Sequence, residues 1–208
     1  MTGPIDGHSF QEGFRYRGCP ICHQLDKDEF DFMCRFQSQT LKEEEVRRHL
    51  VSSQGYCNFH FHEMARLTSP MVNSVVARDL IEREIQEIEK GSFPSGESPR
   101  CPVCRYVTGR EEAYLREFAA LLGEDRGKAE FERSDGLCRV HLKKVLILPQ
   151  GRDLRPLLLL AQVKHLKSLK GELEASLEQD RSEGKIRGRE KNAWSIAIQK
   201  LVGKRGLG

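Results

Sequence analysis

The sequence predicts a mostly α-helical chain built as two tandem repeats, each closed by a metal site of three cysteines and one histidine. Three observations carry that prediction. A C-P-x-C motif occurs twice, as Cys19-Pro20-Ile21-Cys22 and as Cys101-Pro102-Val103-Cys104. Each copy is answered by a C-x-x-H motif, Cys57-Asn58-Phe59-His60 and Cys138-Arg139-Val140-His141. The apolar residues between the motifs recur at three- and four-residue spacings, the period of a helix rather than of a strand.

The two copies keep register. The C-P-x-C cysteines advance by 82 positions and the C-x-x-H ligands by 81. Phe32, Met33 and Phe36 are matched by Tyr114, Leu115 and Phe118, which lie outside the ligand sets. Agreement at positions with no metal chemistry points to an internal duplication.

Composition sets the bounds. With 208 residues the chain can form one large domain or two small ones. It is 38% hydrophobic and 31% charged, a modest core for its size. A net charge of +3 creates no global field that demands nucleic acid or a membrane. The charge is uneven, because from Arg181 onward eight Lys/Arg stand against two Glu. The first residues, MTGPIDGHSFQEGF, have neither the basic start nor the apolar run of a secretory signal. The longest apolar stretch, near 157–163, is far short of the ~20 residues that span a bilayer. The expected location is the cytoplasm, without membrane contact. In a reducing compartment closely spaced cysteines serve as metal ligands or redox centres rather than structural disulfides. Six of the seven cysteines belong to the motifs, and Cys34 is left over.

Taken in order, residues 1–16 read as a flexible arm, rich in Gly, Pro and Asp. The first repeat is expected over 17–90. Its C-P-x-C turn leads into a helix over Asp26–Gln39, with Leu25, Phe32, Met33 and Phe36 at helical spacings. A charged helix comes next over Lys42–Val51, and Gly55 supplies the positive φ that stops it. Cys57–Leu67 restarts a helix. Ser69-Pro70 opens a long one over Met71–Lys90, whose apolar face is Val72, Val75, Val76, Leu80, Ile81, Ile85 and Ile88. Residues 91–100, GSFPSGESPR, read as a linker.

The second repeat, 101–180, repeats the plan. Helices are expected over Arg110–Leu122, over Lys128–Arg133, and from the C-x-x-H motif to Leu148. Pro156 then starts a helix to about Gln179 with Leu157, Leu160, Val163, Leu166, Leu169, Leu173 and Leu177 inward. A basic tail, 181–208, ends in a short helix over Lys191–Val202 whose single Trp194 is expected to pin it to the core.

Three thiols and an imidazole make a complete tetrahedral set for a soft metal. The predicted ligands are Cys19, Cys22, Cys57 and His60, with Cys101, Cys104, Cys138 and His141. Pairing is expected within each repeat, because that loop is shorter to close. Zinc, two ions per chain, suits a site filled by protein groups alone. An iron–sulfur cluster is the alternative cofactor, since the same residues can hold one. Haem and thiol redox chemistry fit less well. Cys19-Pro20-Ile21-Cys22-His23 matches a haem-attachment motif, but Arg105 stands where His23 would recur. A thioredoxin-type redox pair needs a preceding strand and leaves the C-x-x-H motifs unused. The acidic runs, among them Asp26, Asp28, Glu29 and Glu43–Glu45, read as solvated helix faces. His8, His23, His49 and His62 read as surface residues.

The paired motifs, GCPIC with GYCNFH and RCPVC with GLCRVH, resemble an uncharacterised family of bacterial proteins with tandem cysteine-rich helical units and a Trp-containing C-terminal helix. The resemblance covers residues 17–203 and implies a metal role for the eight ligands, and no activity. The expected function is therefore a non-enzymatic metal-braced scaffold or adaptor for another macromolecule. A protein is the expected partner, with nucleic acid as a variant through Lys185, Arg187, Arg189 and Lys191. The alternative is an iron–sulfur electron-transfer or accessory subunit of a redox enzyme.

Overall fold

A computed structural model of the chain describes residues 10–92, 101–183 and 192–206. Most of the linker and the basic residues Lys185, Arg187, Arg189 and Lys191 lie outside them, as does His8. Among the described residues there is no strand. Within the same residues a short 3-10 helix, Phe10–Arg15, precedes nine α-helices. These are α1 (Pro20–Lys42), α2 (Glu44–Ser52), α3 (Asn58–Leu67), α4 (Pro70–Glu89), α5 (Pro102–Leu121), α6 (Asp125–Arg133), α7 (Arg139–Ile147), α8 (Gly151–Glu183) and α9 (Ala193–Val202).

The C-P-x-C motifs are not turns ahead of a helix. Pro20 and Pro102 are the first residues of α1 and α5. Proline suits that place, since its fixed φ is helical and the N–H it lacks would have no partner there. His23 N donates to Cys19 O at 3.0 Å and Arg105 N to Cys101 O at 3.1 Å, so each helix begins within its motif.

Two compact units form, and they do not coincide with the repeats expected over 17–90 and 101–180. One comprises Met1–Asp26 with Glu111–Gly208, and the other Lys27–Arg110. The first unit's core is Phe14, Phe118 and Phe131, with ring centroids 5.4–6.4 Å apart, joined by Leu122, Leu137, Val145 and Leu158. Phe14 lies in the stretch expected to be a loose arm; burying its ring orders the short 3-10 helix. Helix α8 starts at Gly151, five residues ahead of Pro156. Its buried face is Leu158, Ala161, Gln162, His165 and Leu169, whereas Leu160, Val163, Leu166 and Leu177 are exposed. The expected period holds and its phase does not. Four consecutive leucines, 157–160, leave the phase open. Gln162 settles it, because its Oε1 accepts from Leu137 N at 3.1 Å and its Nε2 donates to Leu137 O at 2.7 Å.

In the second unit Phe32 stacks on Tyr106 (4.4 Å) and Phe36, above a core of Met33, Leu50, Met64, Val72, Val76, Val103 and Val107. Ser69 caps α4 by accepting from Val72 N. The C-terminal half of α4 leaves the core, with Ile81, Ile85 and Ile88 exposed against expectation. Trp194 on α9 is 60% exposed and pins nothing; Ala193 and Lys200 are the buried residues of that helix.

Candidate metal centres

The predicted ligands form two groups, and the pairing crosses the expected repeats. Cys19, Cys22, Cys138 and His141 form one centre; Cys57, His60, Cys101 and Cys104 form the other. In each group the four ligand atoms lie within 4.8 Å of one another. All eight predicted residues are brought together, and only the within-repeat pairing is overturned. The docking of His60 explains why. His60 meets α1 at Glu29, seven positions and about 10 Å of helix beyond Cys22. The entropy that favours the shorter loop is small by comparison. Joining Cys22 to Cys138, 116 positions apart, rather than across the 34-residue gap to Cys57, costs about 1 kcal/mol.

All four motifs use one local geometry. Cys57 and Cys138 are the N-caps of α3 and α7, and each histidine lies in the first turn of its helix. Cys138 Sγ accepts from the His141 backbone N–H at 3.4 Å. Cys19 and Cys101 stand just before α1 and α5, with Cys22 and Cys104 in the first turn. Each centre is thus made of two helix N-termini, where partial positive charge and free N–H groups favour thiolates. Gly55 and Gly136, two residues before the C-x-x-H cysteines, have φ of 80° and 74°. A Cβ on Gly136 would meet the His165 ring at 2.5 Å, so only glycine lets α8 close over this loop.

In the first centre His141 Nδ1 lies 3.2 Å from Cys138 Sγ, 3.3 Å from Cys19 Sγ and 3.4 Å from Cys22 Sγ. Cys22 Sγ is 3.7 Å from Cys138 Sγ. In the second centre His60 Nδ1 lies 3.1 Å from Cys57 Sγ, 3.3 Å from Cys104 Sγ and 3.5 Å from Cys101 Sγ. Cys57 Sγ is 3.6 Å from Cys104 Sγ.

The other ring nitrogen of each histidine meets a carboxylate. His60 Nε2 is 2.6 Å from Glu29 Oε1, and His141 Nε2 is 3.1 Å from Glu111 Oε1. Lys144 Nζ bonds both oxygens of Glu111 at 2.7 Å. Each carboxylate holds the ring with Nδ1 toward the sulfurs and makes that nitrogen a stronger ligand. Glu29 is buried, contrary to the solvated face expected of it. Its signal in the sequence is a spacing, since Glu29 and Glu111 differ by 82 positions, the interval of the C-P-x-C cysteines.

The charges respond to this packing. Burial pulls the His60 imidazole down, but hydrogen bonds with Cys101 and Glu29 outweigh it and raise it to about 10. His141 behaves likewise: burial opposes, and Cys138, Cys19 and Glu111 lift it to about 11. Burial pushes the Cys101 thiol up, yet His60 and the backbone N–H groups of Cys104 and Cys57 bring it down to about 7. Without an ion the centres thus favour imidazolium–thiolate pairs, and an entering cation displaces protons.

The surroundings of the two centres differ. Around the first, Cys19 N donates to Gln199 Oε1 at 2.9 Å, and Lys200 Nζ donates to the carbonyl oxygens of Gly136 and Leu137. Helix α9 therefore closes this centre, whose four ligands are fully buried. In the second, Cys104 is exposed and Cys57 half-buried.

The chain matches no protein-family model, no curated protein and no solved structure. Two groups able to hold a metal ion, in an α-helical chain whose described helices are none of them long and apolar enough to cross a membrane, are what the geometry establishes.

Proposed function

We propose that each centre binds one zinc ion, two per chain, and that the ions brace a non-enzymatic helical scaffold that binds another protein. The spacing of the ligand atoms carries this reading. Zinc bonds of about 2.3 Å to sulfur and about 2.0 Å to nitrogen give tetrahedral edges of about 3.8 Å between sulfurs and about 3.5 Å from sulfur to nitrogen. The observed edges are 3.6–3.7 Å and 3.1–3.5 Å. Four protein ligands fill the coordination sphere and leave no open position for water or substrate. An iron–sulfur cluster spreads its ligands over two or more irons, so some pairs must be wider than the edges of a single-ion site. Groups confined within 4.8 Å favour one ion.

Six free thiols committed to two ligand sets suit a reducing compartment. A protein partner is supported by Trp194, Ile198 and Leu201, exposed at i, i+4 and i+7 on α9.

Elemental analysis of freshly purified protein tests the metal. The expected result is about two zinc per chain in a colourless protein. Iron with broad absorption near ~400 nm overturns it in favour of a cluster. A partner that dissociates steeply with salt points instead to nucleic acid on the basic tail.

A further inference from the structure

We propose that the second centre is a modification site for peroxides: Cys104 is oxidised, Cys57 resolves it as a disulfide, and the ion is released while the first centre stays loaded. This rests on the zinc reading above. The two centres share ligand set, helix-terminal geometry and carboxylate-bound histidine, so their chemistry is matched. What separates them is access. Cys19, Cys22, Cys138 and His141 are each 0% exposed. Cys104, in the first turn of α5, is exposed, and Cys57 is half-buried. Their sulfurs are 3.6 Å apart, so a disulfide needs an approach of under 2 Å. Coordination keeps both sulfurs deprotonated, the form that attacks peroxide.

The Cys104 thiolate attacks one peroxide oxygen, the O–O bond breaks, and the departing hydroxide takes a proton to become water. Cys104 is now a sulfenic acid. The Cys57 thiolate attacks the Cys104 sulfur, the S–O bond breaks, and a second hydroxide leaves and is protonated. Two sulfurs have each given one electron and the peroxide has taken two. Two of the four ligands are lost, and Cys101 with His60 cannot retain the ion alone.

The test uses the zinc-loaded full chain and limiting hydrogen peroxide. Released zinc is followed with a chromogenic chelator, and disulfides are mapped by mass spectrometry of non-reduced peptides. Zinc should leave in two phases, the first at least ~tenfold faster than the second, because thiolate oxidation depends on access. The first phase should coincide with a Cys57–Cys104 disulfide, and dithiothreitol with added zinc should reverse it. Cys34 lies outside both ligand sets and reports on its own peptide. Release of both ions in a single phase, or a first disulfide other than Cys57–Cys104, overturns the proposal and leaves the zinc reading standing. Protein that purifies without zinc overturns both. Limiting iodoacetamide on the same protein gives an independent check: among the ligand cysteines Cys104 should be alkylated first, and equal labelling of all six overturns the assignment.

Discussion

Cys22 and Cys104 hold equivalent places, each in the first turn of the helix its motif begins, yet Cys22 is sealed from solvent and Cys104 is exposed. The motif therefore sets which atoms converge, and the segments packed around it set how open the group is. Around the first centre those segments are α8, through Gln162 and His165, and α9, through Gln199 and Lys200. Among the described residues of the Lys27–Arg110 unit no helix repeats the part of α9. Two groups with the same ligand types thus differ in exposure according to the helices packed against them.

The most severe challenge to this contrast is to remove one ligand from each centre. Cys138→Ser should lose one ion and unfold the Glu111–Gly208 part, since a structural zinc site contributes about 10–16 kcal/mol of apparent binding energy. Cys104→Ser should lose one ion and keep the first centre. Zinc counts and far-ultraviolet circular dichroism distinguish the two, and equal loss of helix in both variants would end the idea that the centres differ.

The histidine partners give the next largest effect. Glu29→Ala and Glu111→Ala should each weaken zinc at one centre by about 10–100-fold, read by competition with a chelator of known affinity. A loss shared equally by both centres in either variant contradicts the one-to-one assignment.

Acid provides a graded version. Metal-free His60 and His141 are protonated up to about pH 10 and about pH 11, so zinc must displace those protons. Zinc affinity should accordingly rise with pH through the neutral range and fall on acidification. Calorimetry in buffers of different ionisation enthalpy should record proton release, and its absence would contradict the charge arrangement.

Gln162→Leu should cost about 1–3 kcal/mol, because it strands the buried Leu137 N–H while Leu137 O keeps its bond from Lys200 Nζ, and it should leave the second centre's affinity unchanged. The smallest effect belongs to Trp194→Ser. A side chain this exposed should change stability by less than about 0.5 kcal/mol in urea unfolding, while partner binding through α9 should weaken.

The members of the two Cys/His groups are legible in the sequence because closely spaced cysteines and histidines stand out there whatever their pairing. Helix periods are legible because they arise from local side-chain order. Three things are not. Pairing depends on where the histidines dock, His60 at Glu29 and His141 at Glu111, and loop closure, a term of about 1 kcal/mol, is too weak a guide. The phase of α8 depends on Gln162 reaching a loop 25 positions away, which four adjacent leucines cannot reveal. Glu29 looks solvated because its charge is visible in sequence and its partner, 31 positions on, is not. Trp194 misleads for a related reason. A large apolar side chain marks a surface that can be buried, whether by this chain or by another molecule.

The crossed pairing also orders events during synthesis. Cys19 and Cys22 leave the ribosome first, but their partners are 116 positions or more behind them. Cys57 and His60 wait at most 47 positions for theirs. A nascent chain can therefore complete its accessible centre while the N-terminal thiols still stand as an open half-site. The protected centre is the last to close, once α7 has emerged and α9 can come in to cover it.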